Sequence, residues 1–218
     1  RGASKYFIDQ YEEAIEDFDK AIKLNPKVEN YFSYRGRSYY KLKKDEDAIK
    51  DFDKAIELDD KSYWNFFNLG LSYLNLDKDD NALKNFDKAI KLNPKDPNYF
   101  FNRGRSYYKL EKYDEAIKDF DEAIKFNPKD EYYLNYKGLC FYMQANYNEA
   151  IKIYNKAIKI HPNKGIYYKH RGLSKNYLGK YKAAINDFNK VIEINSGDSY
   201  SWKFRGRSKY FLDQEQEA

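Results

Sequence analysis

Apolar side chains recur along this chain at spacings of three and four residues, the pattern of a helix that buries one stripe. The segment 97–130 shows the unit. Pro97, set behind a capping Asp96, suits the first turn of a helix running through NYFFNRGRSYYKL, and a short break at EKY follows. Asp114 and Glu115 open a second helix, DEAIKDFDEAIKF, in which Ala116, Ile117, Phe120, Ala123 and Ile124 fall on one stripe. Asn127-Pro128 ends it, because the residue before a proline is driven out of the helical region. Two helices per unit are predicted.

The unit repeats without insertion. Glycine stands at Gly2, Gly36, Gly70, Gly104, Gly138, Gly172 and Gly206, a period of 34. Alanine keeps the same period from Ala14 through Ala48, Ala82, Ala116, Ala150 and Ala184 to Ala218, as do the rings of Phe18, Phe52, Phe86, Phe120, Tyr154 and Phe188. Pro26, Pro94, Pro128 and Pro162 close four of the units. A fixed period of this length predicts one supersecondary unit stacked on copies of itself, with the glycine and alanine allowing close helix approach. The boundaries read as a partial repeat 1–28, repeats 29–62, 63–96, 97–130, 131–164 and 165–198, and a partial repeat 199–218, all in one solenoid.

These residues resemble the tetratricopeptide repeat family, whose order of an aromatic, Leu-Gly, Tyr, Ala, Phe and Pro over 34 residues is matched here. Phe100, Gly104, Tyr107, Ala116, Phe120 and Pro128 carry the match in one repeat, and Phe66, Leu69, Gly70, Tyr73, Ala82, Phe86 and Pro94 in another. The resemblance implies an all-α fold, a right-handed superhelical solenoid of stacked helix-turn-helix repeats. It also implies the family's usual role, the binding of a peptide or partner protein in a concave groove lined by first helices. It names no particular ligand.

One departure from the family pattern is systematic. The leucine before the glycine is replaced by Arg1, Arg35, Arg103, Arg171 and Arg205, and once by Lys137; Leu69 alone keeps it. Sixteen residues after the arginines lie Asp17, Asp51, Asp119 and Asp187, whereas Leu69 is followed by Asn85 and Lys137 by Ile153. Because the two positions change together, Arg35 with Asp51, Arg103 with Asp119 and Arg171 with Asp187 are expected to be partly buried ion pairs inside a repeat. These arginines are therefore assigned to structure and not to a ligand.

Helix geometry selects a different stripe for a partner. It includes Asn30, Ser33, Arg37, Tyr40 and Lys41 in repeat 29–62, Trp64, Phe67, Leu71, Leu74 and Asn75 in 63–96, and Asn98, Phe101, Arg105, Tyr108 and Lys109 in 97–130. Of these, Arg37, Tyr40, Lys41, Trp64, Phe67, Leu71, Phe101, Arg105, Tyr108 and Lys109 are the candidate contacts. Asn68 and Asn102, two before their glycines, match positions where the family uses amides to hold a peptide backbone. Later repeats supply Tyr132, Asn135, Leu139, Tyr142 and Met143, then Ile166, Lys169, Leu173, Asn176 and Tyr177, then Lys203, Arg207 and Tyr210. The Arg37–Lys41 and Arg105–Lys109 pairs, two repeats apart, are the sharpest candidates. The family's clamp for a terminal carboxylate is not reproduced, since its positions hold Ser33 and Arg37.

Charge sharpens this picture where composition alone does not. The chain of 218 residues has 40 Lys and Arg against 35 Asp and Glu, a net charge of only +5. Yet the first-helix segments 1–8, 30–42, 64–76, 98–110, 132–144, 166–178 and 200–212 hold eight arginines and eight lysines and no acid, while second helices open on Glu12, Glu13, Asp45, Glu46, Asp47, Asp79, Asp80, Asp114 and Glu115. A basic, aromatic inner wall and an acidic outer shell are expected, which points to an acidic or aromatic-containing peptide or partner. Single-stranded nucleic acid in the same groove is the alternative, through stacking and phosphate neutralisation. A second alternative is end-to-end self-association, because RGASKYFIDQYEEA and RGRSKYFLDQEQEA, six repeats apart, correspond closely and both ends are expected to expose a stacking face.

Other classes are disfavoured. A mean hydropathy of −0.99 and the lack of a long apolar run speak against a membrane partner. His161 takes the place of a repeat-closing Asn, His170 is nearly a repeat away from Cys140, and Cys140 occupies a position that is serine in the other units. With no phosphate loop, no paired carboxylates in the groove and no metal spacing, neither catalysis, nor a metal, nor a cofactor is expected.

Overall fold

The structure is a computed structural model that describes residues 1–217, with side chains through Gln214; Ala218, the last alanine of the period, lies outside the described residues. Thirteen helices and no strand are found among the described residues. They divide into two compact units, Arg1–Glu111 and a second from Lys112 on, so the division falls within repeat 97–130.

The first unit contains α1 (Gly2–Phe7), α2 (Tyr11–Leu24), α3 (Glu29–Lys41), α4 (Asp45–Leu58), α5 (Tyr63–Asn75), α6 (Asp79–Leu92) and α7 (Pro97–Lys109). The second contains α8 (Tyr113–Phe126), α9 (Glu131–Met143), α10 (Tyr147–Ile160), α11 (Gly165–Tyr177), α12 (Tyr181–Ile194) and α13 (Ser199–Glu217). Within each unit every helix packs on the next. First helices also touch one another, α1 with α3, α3 with α5 and α5 with α7, then α9 with α11 and α11 with α13, whereas no two second helices do so among the described residues. First helices therefore form the continuous inner wall of each unit.

The periodic residues make the packing. Ala14, Ala48, Ala82, Ala150 and Ala184 are fully buried, as are the rings of Phe52, Phe86, Tyr154 and Phe188. A Cβ built on Gly70 would stand 2.6 Å from the Phe86 ring, and one on Gly138 2.6 Å from that of Tyr154, so these positions need hydrogen in place of a methyl. Asp96 accepts a hydrogen bond from the Asn98 amide at 2.9 Å ahead of Pro97, which caps α7.

The short break between the two helices of a repeat is a defined turn. Asp9, Lys43, Asp77, Glu111, Ala145 and Gly179 adopt positive φ between 56° and 72°, again at a period of 34. The last helix differs from its counterparts: α13 continues to Glu217 through the positions at which α1 ends and turns.

Candidate functional site

The stripe residues of the later repeats lie in the second unit, on α9, α11 and α13; the twelve candidate contacts of repeats 29–62, 63–96 and 97–130, Asn68 and Asn102 included, lie in the first, on α3, α5 and α7. Their surroundings differ from those of the structural arginines. Arg35 donates to Asp51 from Nε at 2.8 Å and from a terminal nitrogen at 2.6 Å, and its other terminal nitrogen reaches Asp19. Asp51 is only 4 % exposed, so the fork-to-carboxylate geometry compensates a buried charge. Arg171 does the same with Asp187, at 3.0 and 2.6 Å, and reaches Asn155 at 2.6 Å. Arg103 contacts Asp87 at 2.6 Å; Arg103 and Asp119 fall in different units, and their pairing is an expectation from sequence.

A second partner, sixteen residues before each cation, does not follow from the correlated change of arginine and aspartate. It recurs as Asp19 with Arg35, Asp87 with Arg103, Asp121 with Lys137, Asn155 with Arg171 and Asn189 with Arg205. The row Asp19, Asp53, Asp87, Asp121, Asn155, Asn189 was a usable signal, hidden because Asp53 stays acidic opposite Leu69.

On the predicted binding stripe the cations separate into two groups. Lys109 is drawn to Asp77, lies 3.9 Å from Asp79 and 3.4 Å from the Leu74 carbonyl. This departs from an unbroken basic wall, and the cause is local. The left-handed turn carries Asp77 to the end of the next first helix, and Asp79, in the first turn of α6, is tucked in beside it at 8 % exposure. Burial pushes the Asp79 carboxyl above its ordinary range while Lys109 pulls it back, and its Oδ1 is buried with no hydrogen-bond partner among the described residues. Asp45 is buried in the equivalent place and accepts from the Asn75 amide at 3.2 Å. Acids thus reach the edge of the inner wall and are not confined to the outer shell.

Arg37, Lys41 and Arg105 form the other group. None has a carboxylate within salt-bridge distance among the described residues. The Arg37 guanidinium lies over the rings of Tyr6 and Tyr34, 4.6 and 5.3 Å from their centroids. Arg105 lies 5.8 Å from the Phe101 centroid and donates to the side-chain oxygen Oδ1 of Asn102 at 3.0 Å. Burial raises the pKa of Tyr40, offset in part by the Asn75 amide and by the Arg105 charge, which places Arg105 within electrostatic reach of α3.

The apolar and amide residues of the stripe are less available. Phe67 belongs to the core, 4.7 Å from the Tyr99 ring, and Leu71 packs on the same cluster. Trp64 is half exposed, at 50 %. Asn68 and Asn102 are buried and donate to carbonyls of their own helices, Trp64 at 2.7 Å and Asn98 at 2.8 Å, so neither presents a free amide donor pair to a peptide. Tyr108 and Phe101 are half-buried, and Lys41 is exposed.

In the second unit Cys140 is fully buried, and burial pushes its thiol up to about 12. His170 stacks on Tyr154 at 5.6 Å, with its Nδ1 enclosed and without a hydrogen-bond partner among the described residues, and burial lowers its pKa to about 4. Neither group is placed or ionised as a nucleophile–base pair requires. No helix among the described residues is long and apolar enough to cross a membrane.

Comparison with known proteins accords with this architecture. The tetratricopeptide repeat pattern matches residues 97–130, 131–164 and 167–198, and a TPR repeat pattern matches 8–43, 36–77 and 76–110. The chain belongs to the tetratricopeptide repeat family. Among solved structures it is similar to YrrB, described as a TPR protein with an unusual peptide-binding site, with a TM-score of 0.76 at 21 % identity over 87 % of this chain and 97 % of that one. It is similar to MamA, with a TM-score of 0.71 at 24 % identity over 74 % and 94 %. It is also similar to the C-terminal part of a TPR repeat-containing protein from Cytophaga hutchinsonii, with a TM-score of 0.80 at 20 % identity over 89 % and 78 %. At these identities the likeness is one of fold. No curated protein matches the chain. As a tetratricopeptide repeat protein it is a protein-interaction scaffold.

Proposed function

We propose that the chain is a non-catalytic scaffold whose first unit takes an extended segment of a partner protein, bearing acidic and aromatic side chains, along the first-helix wall. The observation that carries this reading is the state of three cations. Among the described residues, Arg37, Lys41 and Arg105 lie on the predicted stripe without a carboxylate contact, whereas the neighbouring Arg35, Arg103 and Lys109 all have one. An uncompensated cation on an inner wall is a standing attraction for an anionic side chain, the more so for Arg37 and Arg105, which are half-buried. The half-exposed Trp64 adds an apolar contact between the two cationic stations. YrrB, of the same fold, is described as having a peptide-binding site, which supports the class of ligand without naming it.

The test is a peptide array probed with the native chain and with an Arg37→Glu, Arg105→Glu double variant. The variant is expected to keep its helical circular dichroism and lose acidic peptides. Retained binding overturns the assignment.

A further inference from the structure

We propose that the cleft beside Arg37 selects a mixed-charge segment, in which an acidic and a basic side chain stand four residues apart, the acidic one on Arg37 and the basic one on Glu29 and Asp59. This rests on the peptide-binding reading above and narrows it.

The cleft is lined in part by Phe7, Glu29, Ser33, Arg37, Asp59 and Trp64, all within the first unit. Its charges are segregated along its length. Arg37 lies at one end over the rings of Tyr6 and Tyr34, which hold a guanidinium without cancelling its charge. Glu29, eight residues earlier on α3, is held at the other end by the amide of Asn65, which is fully buried and which also accepts from the Ser33 hydroxyl at 2.7 Å. Asp59, the cap residue at the C-terminal end of α4, lines the same cleft, and among the described residues its carboxylate accepts only the backbone N–H of Lys61, at 3.0 Å. Neither Glu29 nor Asp59 is in a salt bridge among the described residues. One uncompensated cation therefore shares a cleft with two uncompensated anions.

Helix geometry sets the spacing. Eight residues of α3 rise about 12 Å. An extended chain advances about 3.3 Å per residue, so side chains four apart span a similar distance and, having an even separation, point to the same face. Ser33, halfway between Glu29 and Arg37, faces the residue in the middle. A uniformly acidic segment would satisfy Arg37 only by setting carboxylates against Glu29 and Asp59; a dipolar one satisfies both ends. The two anchors are already fixed by Asn65 and by Tyr6 and Tyr34, which lowers the ordering cost of binding.

The experiment uses the full chain and fluorescein-labelled peptides with Gly-Ser flanks around Lys-Ala-Ser-Ala-Glu, Glu-Ala-Ser-Ala-Lys or Glu-Ala-Ser-Ala-Glu, read by anisotropy. One of the two mixed-charge peptides is expected to bind at least tenfold more tightly than the acidic one. Arg37→Ala weakens that peptide at least tenfold, and Glu29→Gln, which keeps the hydrogen bond from Asn65, removes the preference. Equal or tighter binding of the acidic peptide overturns this inference and leaves the peptide-binding reading standing. Preference for a mixed-charge peptide that both variants leave intact overturns the location. Absence of binding by all three overturns the inference and that reading together.

Discussion

Arg35 and Leu69 occupy the same place in successive repeats, and the contrast between them is a natural double substitution. Where arginine stands, Asp51 is buried and receives two charge-assisted hydrogen bonds. Where leucine stands, the residue sixteen on is Asn85, whose amide donates to the Asn81 carbonyl at 2.9 Å, and Leu69 is buried. Removing only the cation strands a carboxylate in a nearly dry site, so Arg35→Leu is expected to lower stability by about 3 kcal/mol. Arg35→Leu with Asp51→Asn reproduces the neighbouring repeat and should restore stability to within about 1 kcal/mol of the native chain, because a buried pair replaced at both ends is close to neutral. Asp19 would then be left as Asp53 already is, acidic and exposed opposite a leucine. Urea unfolding of the two single variants and the double variant checks this; strictly additive losses would dismiss the coupling. The correlated change was legible in the sequence because it lies inside one repeat. The second carboxylate or amide was not recognised because it belongs to the preceding repeat and does not change with its partner.

The helices themselves follow directly from the sequence, since stripes spaced by three and four residues and the Asp96-Pro97 start are local signals, and α8 begins at Tyr113, one residue ahead of the expected Asp114. The turns between them do not. Five of the six left-handed turn residues are not glycine, so the usual marker of positive φ appears only at Gly179. The conformation is imposed by the packing of two helices whose relative position is set by buried glycine, alanine and ring positions far from the turn. A residue with a Cβ in that conformation carries a strain that asparagine and aspartate bear more easily than alanine. Ala145, at φ 57°, is thus the least suited of the set, while Gly179 has nothing within 4 Å of a built Cβ. Ala145→Gly is expected to stabilise the chain by about 1 kcal/mol, and Gly179→Ala to destabilise it by a similar amount. Thermal or denaturant unfolding decides the matter, and opposite signs at both positions would show that the turns are not strained. The same turn explains how Asp77 comes to hold Lys109, a contact between residues 32 apart that no periodicity announces.

Across the entire chain the sixteen first-helix cations overstate the charge that a partner meets. Nine of them, Arg1, Lys5, Arg35, Arg103, Lys109, Lys137, Lys169, Arg171 and Lys175, contact carboxylates. Seven do not among the described residues, namely Arg37, Lys41 and Arg105 in the first unit and Lys203, Arg205, Arg207 and Lys209 on α13. Residue counts revealed the segregation of charge between first and second helices. They could not reveal this internal compensation, because it depends on which acids stand opposite each cation: Asp51 and Asp187 from the second helix of the same repeat, Asp87 from that of the preceding one, Asp77 from a turn, and Asp198, just ahead of α13, for Lys169 at 2.9 Å. A polyanion reports the difference. Each cation that neutralises a phosphate of a single strand contributes about −0.7 to the slope of log affinity against log salt. Sixteen available cations would give a slope near −11, whereas the seven uncompensated ones limit it to about −5, and the first unit alone to about −2. Titration of a labelled oligothymidylate between 50 and 200 mM salt is therefore expected to give a slope shallower than about −5, with Arg37→Glu, Lys41→Glu, Arg105→Glu reducing it by about 2. A slope well beyond −5 would mean that the carboxylate contacts open when a polyanion approaches, and that the basic wall inferred from composition is available after all. A shallow slope leaves a surface that discriminates by where a few charges stand, which is what recognition of one partner segment among many acidic ones demands.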